Sequence, residues 1–456
     1  MNYTENNKNN QLEINTFLKI PSNLARFTNI DTIIENDTSG NKIYSFKGYV
    51  SLVINDLLCP KCNSLMHKHN SYNTKIKHLP FGSTYTQIDV ERVQLICPNC
   101  GLTKTQELPF KDEKHLITKE LRTYTEDLLA TNKFTNKDIA KLTGLNRNLV
   151  KEIDKERLMK KYTVDGLGKE LIKPEKQAKF LGIDEFKLHN GYKYATHIID
   201  YDTGHILWIA EGKKKQVVYD FIEHVGIEWM KNVEAVACDM NSDFEEAFKE
   251  KCPHLKIVYD YFHIVKNFND KVISEIRKDE QKRLIEMGDA EAAKKLKKSK
   301  FILFSSKETL KKKDQEVQKE KVVSKGSTLF NKQEVTRKGY YYDRYNKLIN
   351  ENDLFLTIEL IKDTLYQAYH TNSEEQMIEL IFDIMELCEA SGNKHLQWFE
   401  KLLYNHFDGI ITHAIYKISS GRIEGINNKI KTLRRQAYGY PDDEYFFLKL
   451  FDMSRY

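Results

Sequence analysis

FLGIDEFKLHNGYKYATHIIDYDTGHILWIAEG, residues 180–212, decides the fold, together with NVEAVACDMNSDFEEAF at 232–248 and KIVYDYFHIVK at 256–266. The first stretch reads as three strands: a short apolar one ending at Asp184, an alternating aromatic-rich one from Tyr192 to Tyr201, and HILWIA after the Asp202-Thr203-Gly204 turn. VEAVAC is a compact apolar run with β-branched residues, the pattern of a strand covered on both faces, and it stops at Asp239. Two strands therefore end on a carboxylate. In open sheets ligand sites gather at strand ends, where the sheet holds a side chain rigid while its tip reaches solvent. Paired carboxylates there suit hard divalent cations such as Mg²⁺ or Mn²⁺, and two such ions about 4 Å apart activate a nucleophile and steady a leaving oxygen in phosphodiester chemistry. The same aspartates also fit a plainer role as strand terminators.

Toward the C-terminus, NSDFEEAFKEKCPHL reads as a short helix opened by Asn241 or Ser242. KIVYDYFHIVKNFNDKVISEI then gives a strand entering a long amphipathic helix, with Tyr261, Phe262, Val265 and Phe268 on its apolar side. Asp260 and His263 stand at that junction, either assisting a metal site or capping and orienting the helix. Residues 278–338, with KKLKKSK and LKKKDQEVQKEKVVSK, form a Lys/Glu-dominated insertion of exposed helices and loops whose lysines are either solvated or track phosphates. Helical periodicity returns at 354–369 and in MIELIFDIMELCEA. In SGRIEGINNKIKTLRR, residues 420–435, Ile423, Ile426, Ile430 and Leu433 make a buried stripe, while Glu424, Asn428, Lys431 and Arg435 fall along an adjacent face. That face either lines a site for metal and phosphate or is an ordinary charged surface.

Toward the N-terminus, the first fifty-odd residues are rich in Asn and Thr and say little. Cys59-Pro-Lys-Cys62 and Cys97-Pro-Asn-Cys100 follow. Each C-P-x-C turn brings two thiolates onto one ion, and two such turns complete a tetrahedral structural Zn²⁺ site of the ribbon type. The long intervening loop contains VERVQLI, a strand leading into the second turn, and three histidines, His67, His69 and His78, that could substitute as ligands. In TYTEDLLATNKFTNKDIAKLTGLNRNLVKEIDKERLMKKY, residues 123–162, Thr135 caps a helix with Ile139, Ala140 and Leu142 as apolar positions, Gly144 permits a sharp turn, and Asn146 caps a second helix. Leu149, Val150 and Ile153 face inward there, leaving Arg147, Asn148, Lys151 and Lys155 outward. This is a helix-turn-helix pattern suited to a DNA major groove, with a plain helical hairpin as the bland alternative.

The charge balance excludes little, since a formal net charge of +5 with 30% charged residues gives a weak mean field. No apolar run reaches membrane length, the start MNYTENNKNNQ has no apolar leader, and Cys238, Cys252 and Cys388 are scattered, so neither a membrane partner nor a secreted disulfide framework is expected. A soluble, cytoplasmic, nucleoid-associated protein is the expectation. The organisation read from these signals is an N-terminal extension at 1–57, a zinc-ribbon-like module at 58–110, a helix-turn-helix domain at 118–165, the first part of a strand-based core at 175–277, a mostly helical insertion at 278–415, and a C-terminal helical part of the core at 416–456.

In this order the C-P-x-C pairs, KDIAKLTGL, LGIDEF, ACDMN, YDYFHIVK and SGRIEGINNKIKTLRRQAYGY resemble the transposases of the ISL-three insertion-sequence family, which use a DDE triad. The resemblance covers nearly the whole chain from about Cys59 onward. It implies an α/β fold: an RNase H-like catalytic core with a helical insertion before the last acidic residue, preceded by the zinc-ribbon-like module and the helix-turn-helix. It implies Asp184, Asp239 and Glu424 as the triad holding Mg²⁺ or Mn²⁺ for DNA cleavage and strand transfer. Double-stranded DNA is the implied partner, as terminal inverted repeats and as target, and two element ends that must meet imply a homo-oligomer, a dimer or larger. Arg147, Asn148, Lys151 and Lys155 are then candidates for end recognition, and Lys431, Arg434 and Arg435 for holding the backbone next to Glu424. Two other classes share parts of the pattern. A zinc and helix-turn-helix regulator would bind DNA without cutting it, and an RNase H-like nuclease would cut without joining ends.

Overall fold

The computed structural model describes residues 14–21, 23–36, 40, 42–50, 57–189, 191, 193–319, 339–419, 421–437 and 439–455. They fall into two units. One comprises the chain up to Ile172 together with Leu433–Ser454, and the other is Lys173–Thr432.

The first unit begins with an antiparallel pair, β1 (Ala25–Asn36) and β2 (Lys42–Val50), followed by β3 (His67–Phe81), β4 (Thr84–Ile96) and β5 (Thr103–Thr105). These make one sheet in the order β1-β2-β4-β3, with β5 on β4. The link between β2 and β4 is parallel and runs from Ile43↔Tyr85 to Tyr49↔Glu91. The expected extension at 1–57 is therefore no separate piece, because its strands share a sheet with the cysteine module. A polar composition rich in Asn and Thr hid strands whose few apolar side chains, Phe27 among them, close over Ile76, Ile88 and Val90. The expected loop between the cysteine pairs is instead the long β3–β4 hairpin.

Three helices follow: α1 (Lys119–Ala130), α2 (Asn136–Thr143) and α3 (Arg147–Tyr162). Thr135 and Asp138 form a capping box at the start of α2, and Asn146 accepts from the Leu149 N–H to open α3. Gly144 ends α2 at φ +71°, and a Cβ there would lie 2.8 Å from the Tyr85 ring on β4, so both the turn and the close approach require glycine. Leu121, Leu129, Ile139, Val150 and Ile153 bury one another, while Leu142, expected among the apolar positions, is 44% exposed.

The C-terminal helix Asp443–Met453 also packs on α3. Tyr445 Oη donates to Asp154 at 2.7 Å, and Asp452 accepts from Tyr162 at 2.8 Å, Lys161 at 2.8 Å and Arg157 at 3.1 Å. Both aspartates are fully buried, and their cations are what make that burial tolerable. The segment expected to finish the catalytic core at 416–456 thus leaves that core at Leu433.

The second unit contains β6 (Phe180–Lys187), β7 (Tyr194–Asp200), β8 (Ile206–Glu211), β9 (Ala235–Cys238) and β10 (Lys256–Tyr259), ordered β10-β9-β6-β7-β8. β7 runs antiparallel to both β6 and β8, whereas β9 and β10 join in parallel after crossovers through α4 (Lys215–Val225) and α5 (Ser242–Lys251). α6 (Tyr261–Asn267) runs through a π-helical turn at Phe268–Ile273 into α7 (Ser274–Glu286). Its inward residues are Ile264, Phe268, Val272 and Ile276, while Phe262, expected inside, is 47% exposed. The wider turn shifts the helical register, which a uniform 3.6-residue period does not capture.

A single apolar core runs from Leu181, Ile183 and Val236 through Phe268 to Leu365, Met377 and Phe399 of the helical insertion. The lysine-rich segment is not wholly solvated, because Leu296, Ile302, Leu303 and Leu310 anchor it there; residues 320–338 of that expected insertion lie outside the described residues. The last helix of this unit, α8 (Gly421–Gln436), buries Ile423, Ile426 and Ile430 as its spacing predicted, with Leu433 only half-buried. Among the described residues no helix is long and apolar enough to cross a membrane.

Candidate active site and metal centre

The parallel register of β6 and β9 pairs Gly182 with Ala237, so Asp184 and Asp239, each two residues further on, come level where the pairing of the two strands stops; Asp239 follows the end of β9, whereas β6, expected to end at Asp184, runs on to Lys187 against β7. They share a small cleft with Asp260, His263 and Ile423. α8 closes this cleft. A Cβ on Gly182 would stand 2.8 Å from Ile423, so the bare glycine is what lets the helix lie on β6. One turn later Asn427 Nδ2 donates to Asp184 Oδ2 at 2.6 Å. Four helical residues rise about 6 Å and two strand residues about 6.6 Å, so the Ile423–Asn427 pair matches the Gly182–Asp184 pair along the two elements.

The acids are held by more than the sheet. Asp184 Oδ1 accepts from the Glu185 N–H at 2.8 Å, Asp239 Oδ1 accepts from the Met240 N–H at 2.7 Å, and His263 Nδ1 lies 3.0 Å from Asp239 Oδ1. Burial raises the Asp184 carboxyl above its usual range, and the nearby Asp239 charge adds to this despite the hydrogen bonds from Glu185 and Asn427. Burial also pushes Asp239 up, but the His263 hydrogen bond and charge prevail and its pKa is lowered; His263 is correspondingly raised by Asp239 against its own burial. A desolvated acid beside an ionised one is a place where a cation relieves repulsion, so these donors fit a hard divalent ion. Asp260 caps α6 through the Phe262 N–H, one of its expected roles, and also lines the same cleft.

Glu424 sits on the exposed first turn of α8. Its neighbour Ile423 faces the cleft, and a helix turns about 100° per residue, which points Glu424 to the flank of the contact line. Among the described residues, the group of three or more His, Cys, Asp or Glu ligand atoms lying within 4.8 Å of one another is Cys59, Cys62, Cys97 and Cys100; the three acids are not so gathered. Without a cation, carboxylates at contact distance repel, so a looser arrangement is the expected resting geometry.

At the cysteines, Sγ–Sγ distances are 3.5 Å for Cys59–Cys100, 3.4 Å for Cys62–Cys97 and 3.7 Å for Cys62–Cys100. Tetrahedral Zn–S bonds of about 2.3 Å put sulfurs about 3.8 Å apart, so the group fits Zn²⁺ with little adjustment. Each turn closes through a left-handed residue after its second cysteine, Asn63 at φ +56° and Gly101 at φ +70°. His67 and His69 are exposed on β3, and His78 is buried against Thr118, with burial lowering its pKa to about 4. None of the three joins the cysteine group.

A family model described as a transposase, of the ISL3 DDE type, matches residues 181–450, more than half of the chain. The chain belongs to the ISL3 transposase family. A second model, described as the zinc-finger of transposase IS204/IS1001/IS1096/IS1165, matches residues 58–100. The chain is 26% identical over 395 residues to the transposase for insertion sequence element IS1001 of Bordetella parapertussis, covering 86% of this chain and 88% of that protein. It is also 29% identical over 85 residues, 19% of each protein, to the transposase for insertion sequence element IS1557 of Mycobacterium tuberculosis.

For an ISL3 transposase, the family model spans Asp184, Asp239 and Glu424 and implies a divalent metal, while the ribbon model spans the four cysteines. Arg147 and Asn148 are exposed at the start of α3. Lys151 and Lys155, expected to face outward, pair with Asp442 at 2.8 and 3.2 Å, and Lys155 also with Glu444 at 2.6 Å. Lys431 and Arg435 are exposed on α8, and the Arg434 guanidinium lies 5.7 Å from the Phe446 ring centroid. Sequence reasoning missed Asn427. It aligned Asn428 with Glu424 by helical spacing, although the turn that buries Ile423 carries Asn427 inward with it.

Proposed function

We propose that this ISL3-family chain binds the terminal inverted repeats of an insertion sequence and performs metal-dependent DNA cleavage and strand transfer with Asp184, Asp239 and Glu424. One observation carries the reading: two acids level on neighbouring strands, one within β6 and one just past the end of β9, in one cleft closed by the helix that bears the third. The strand order, an antiparallel meander extended by two parallel strands, is the one an RNase H-like core requires. When bound, divalent cations supply Lewis-acid activation of the attacking oxygen and offset charge on the leaving one. The chain's own residues make the seat. Asp184 and Asp239 present oxygens fixed by backbone N–H groups, His263 orients Asp239, and Glu424 swings in from the first turn of α8. Neither a serine nor a tyrosine nucleophile is required, since water and then the freed 3′-hydroxyl do the attacking.

End recognition falls to the first unit, where α2 and α3 act as a helix-turn-helix and Arg147 and Asn148 offer side chains at the start of the second helix. Structural Zn²⁺ on the four cysteines holds the β3–β4 hairpin. A cleavage and joining assay on end-containing duplex, with and without Mg²⁺, tests the proposal. Asp184→Asn is expected to abolish both products while leaving end binding intact. Wild-type cleavage by that variant in Mg²⁺ would remove the catalytic assignment, and nicking without joined product would reassign the chain as a nuclease.

A further inference from the structure

Asn427 has two polar ends, and only one has a partner. Its Nδ2 donates to Asp184 Oδ2 at 2.6 Å, whereas its Oδ1 is buried with no hydrogen-bond partner. Turning the amide over would set oxygen against carboxylate oxygen, so the observed orientation is the one Asp184 enforces. A buried acceptor without a donor is destabilising, and in a native protein it calls for an explanation such as a water or an ion. The amide that carries the orphan oxygen is bonded to one of a pair of acids that fits a divalent ion, on the helix that carries Glu424 three residues earlier. Its anchor is firm: Ile423 is buried on Gly182 one turn before, and the first turn is tied to the β7–β8 connection by Arg422 on the Asp202 carbonyl and by the Ser419 N–H on Tyr201 Oη at 3.0 Å.

The geometry points to Asn427 as a positioning residue for the cation site: its amide N–H fixes the Asp184 rotamer, and its amide oxygen accepts from the hydration shell of the bound ion or meets the ion itself. This rests on the catalytic reading above and extends it to an amide outside the acidic triad. A donor and an acceptor on one side chain also tie α8 to β6 more tightly when the ion is present, which steadies the turn bearing Glu424.

The test is Mn²⁺ titration of the full-length protein with Zn²⁺ kept on the four cysteines and weakly held divalent ions dialysed away, reading free Mn²⁺ by electron paramagnetic resonance, with far-ultraviolet circular dichroism to confirm folding. Outer-shell partners of metal ligands typically matter by 10–100-fold in affinity, so Asn427→Ala is expected to weaken Mn²⁺ binding by roughly 10-fold or more. Asn427→Asp keeps an oxygen at the orphan's place but loses the N–H that holds Asp184, and is expected to bind Mn²⁺ more tightly than Asn427→Ala though more weakly than the wild type, with end binding unchanged in both variants. Asn427→Ala binding Mn²⁺ as wild type, while Asp184→Asn does not, overturns the role of Asn427 alone. Asn427→Asp as weak as Asn427→Ala overturns the role of the amide oxygen. If Asp184→Asn also binds Mn²⁺ normally, the cation site itself is misplaced, and the catalytic reading falls with the inference.

Discussion

His197 is the cross-strand partner of Asp184, is fully buried, and has no hydrogen-bond partner on either ring nitrogen. Burial lowers its pKa to about 4, so the folded chain keeps it neutral while an unfolded one protonates it near 6.5. The unfolded state then binds more protons below 6.5, and stability falls as pH drops from about 6.5 to about 4. His413, also lowered to about 4 by burial and by Lys417, acts in the same window. Urea midpoints at pH 7 and pH 5 are expected to differ in the wild type, and His197→Leu to remove part of that difference; an unchanged pH dependence in the variant would assign the loss elsewhere. At this scale the sequence was informative about which two acids come level on neighbouring strands and uninformative about what holds them. Asp184 and Asp239 announce themselves by ending apolar runs, but the Asn427 and His263 contacts arise from elements far apart in sequence, and no local spacing encodes them.

Elements meet here through missing atoms as much as through present ones. Gly182 lies under Ile423, and a methyl at that position overpacks the contact at about 1–3 kcal/mol. Gly182→Ala is expected to lower cleavage at least tenfold by tilting α8, with end binding intact, and Ile423→Val to restore part of the rate in the double variant. Additive losses would show that the two side chains do not share one contact. The β3–β4 hairpin has its own dependence. Because ligand binding and folding are one equilibrium in such clamps, Cys97→Ser or chelation is expected to lower the melting temperature of the first unit and abolish end binding, while Mn²⁺ titration of the second unit stays unchanged. Strands β6 to β10 were legible because apolar runs ending in turn residues are a local signal. β1 and β2 were not, since β1 is polar on most positions and the pair is held through β2 by its distant partner β4; nor was the π-helical turn after α6, at Phe268–Ile273.

On the scale of the whole molecule, the boundary between units falls inside α8, at Thr432. The sequence gives no hint of this, because helical periodicity runs through it without a break. One consequence is electrostatic. Asp442 takes up Lys151 and Lys155 at the N-terminus of the C-terminal helix, and their pull, together with the Tyr445 N–H, holds the Asp442 carboxyl at about 2 against its partial burial. Exposed pairs of this kind contribute about 1 kcal/mol or less, so phosphate can replace Asp442 readily. Asp442→Asn is expected to tighten binding to unrelated duplex and to steepen the salt dependence by about 0.9 per freed lysine. An unchanged slope in fluorescence anisotropy between 50 and 300 mM salt would mean that neither lysine reaches the backbone.

The docking of Leu433–Ser454 onto α3 also sets an order of events during synthesis. Residues 433–454 leave the ribosome after Lys173–Thr432, yet Asp452 pairs with Arg157 and Lys161, and Tyr445 donates to Asp154, on a helix translated some three hundred residues earlier. The face of α3 that takes up the C-terminal helix therefore waits, incomplete, until the whole of the second unit has been made, and a messenger cut short before that point yields a first unit without its last helix.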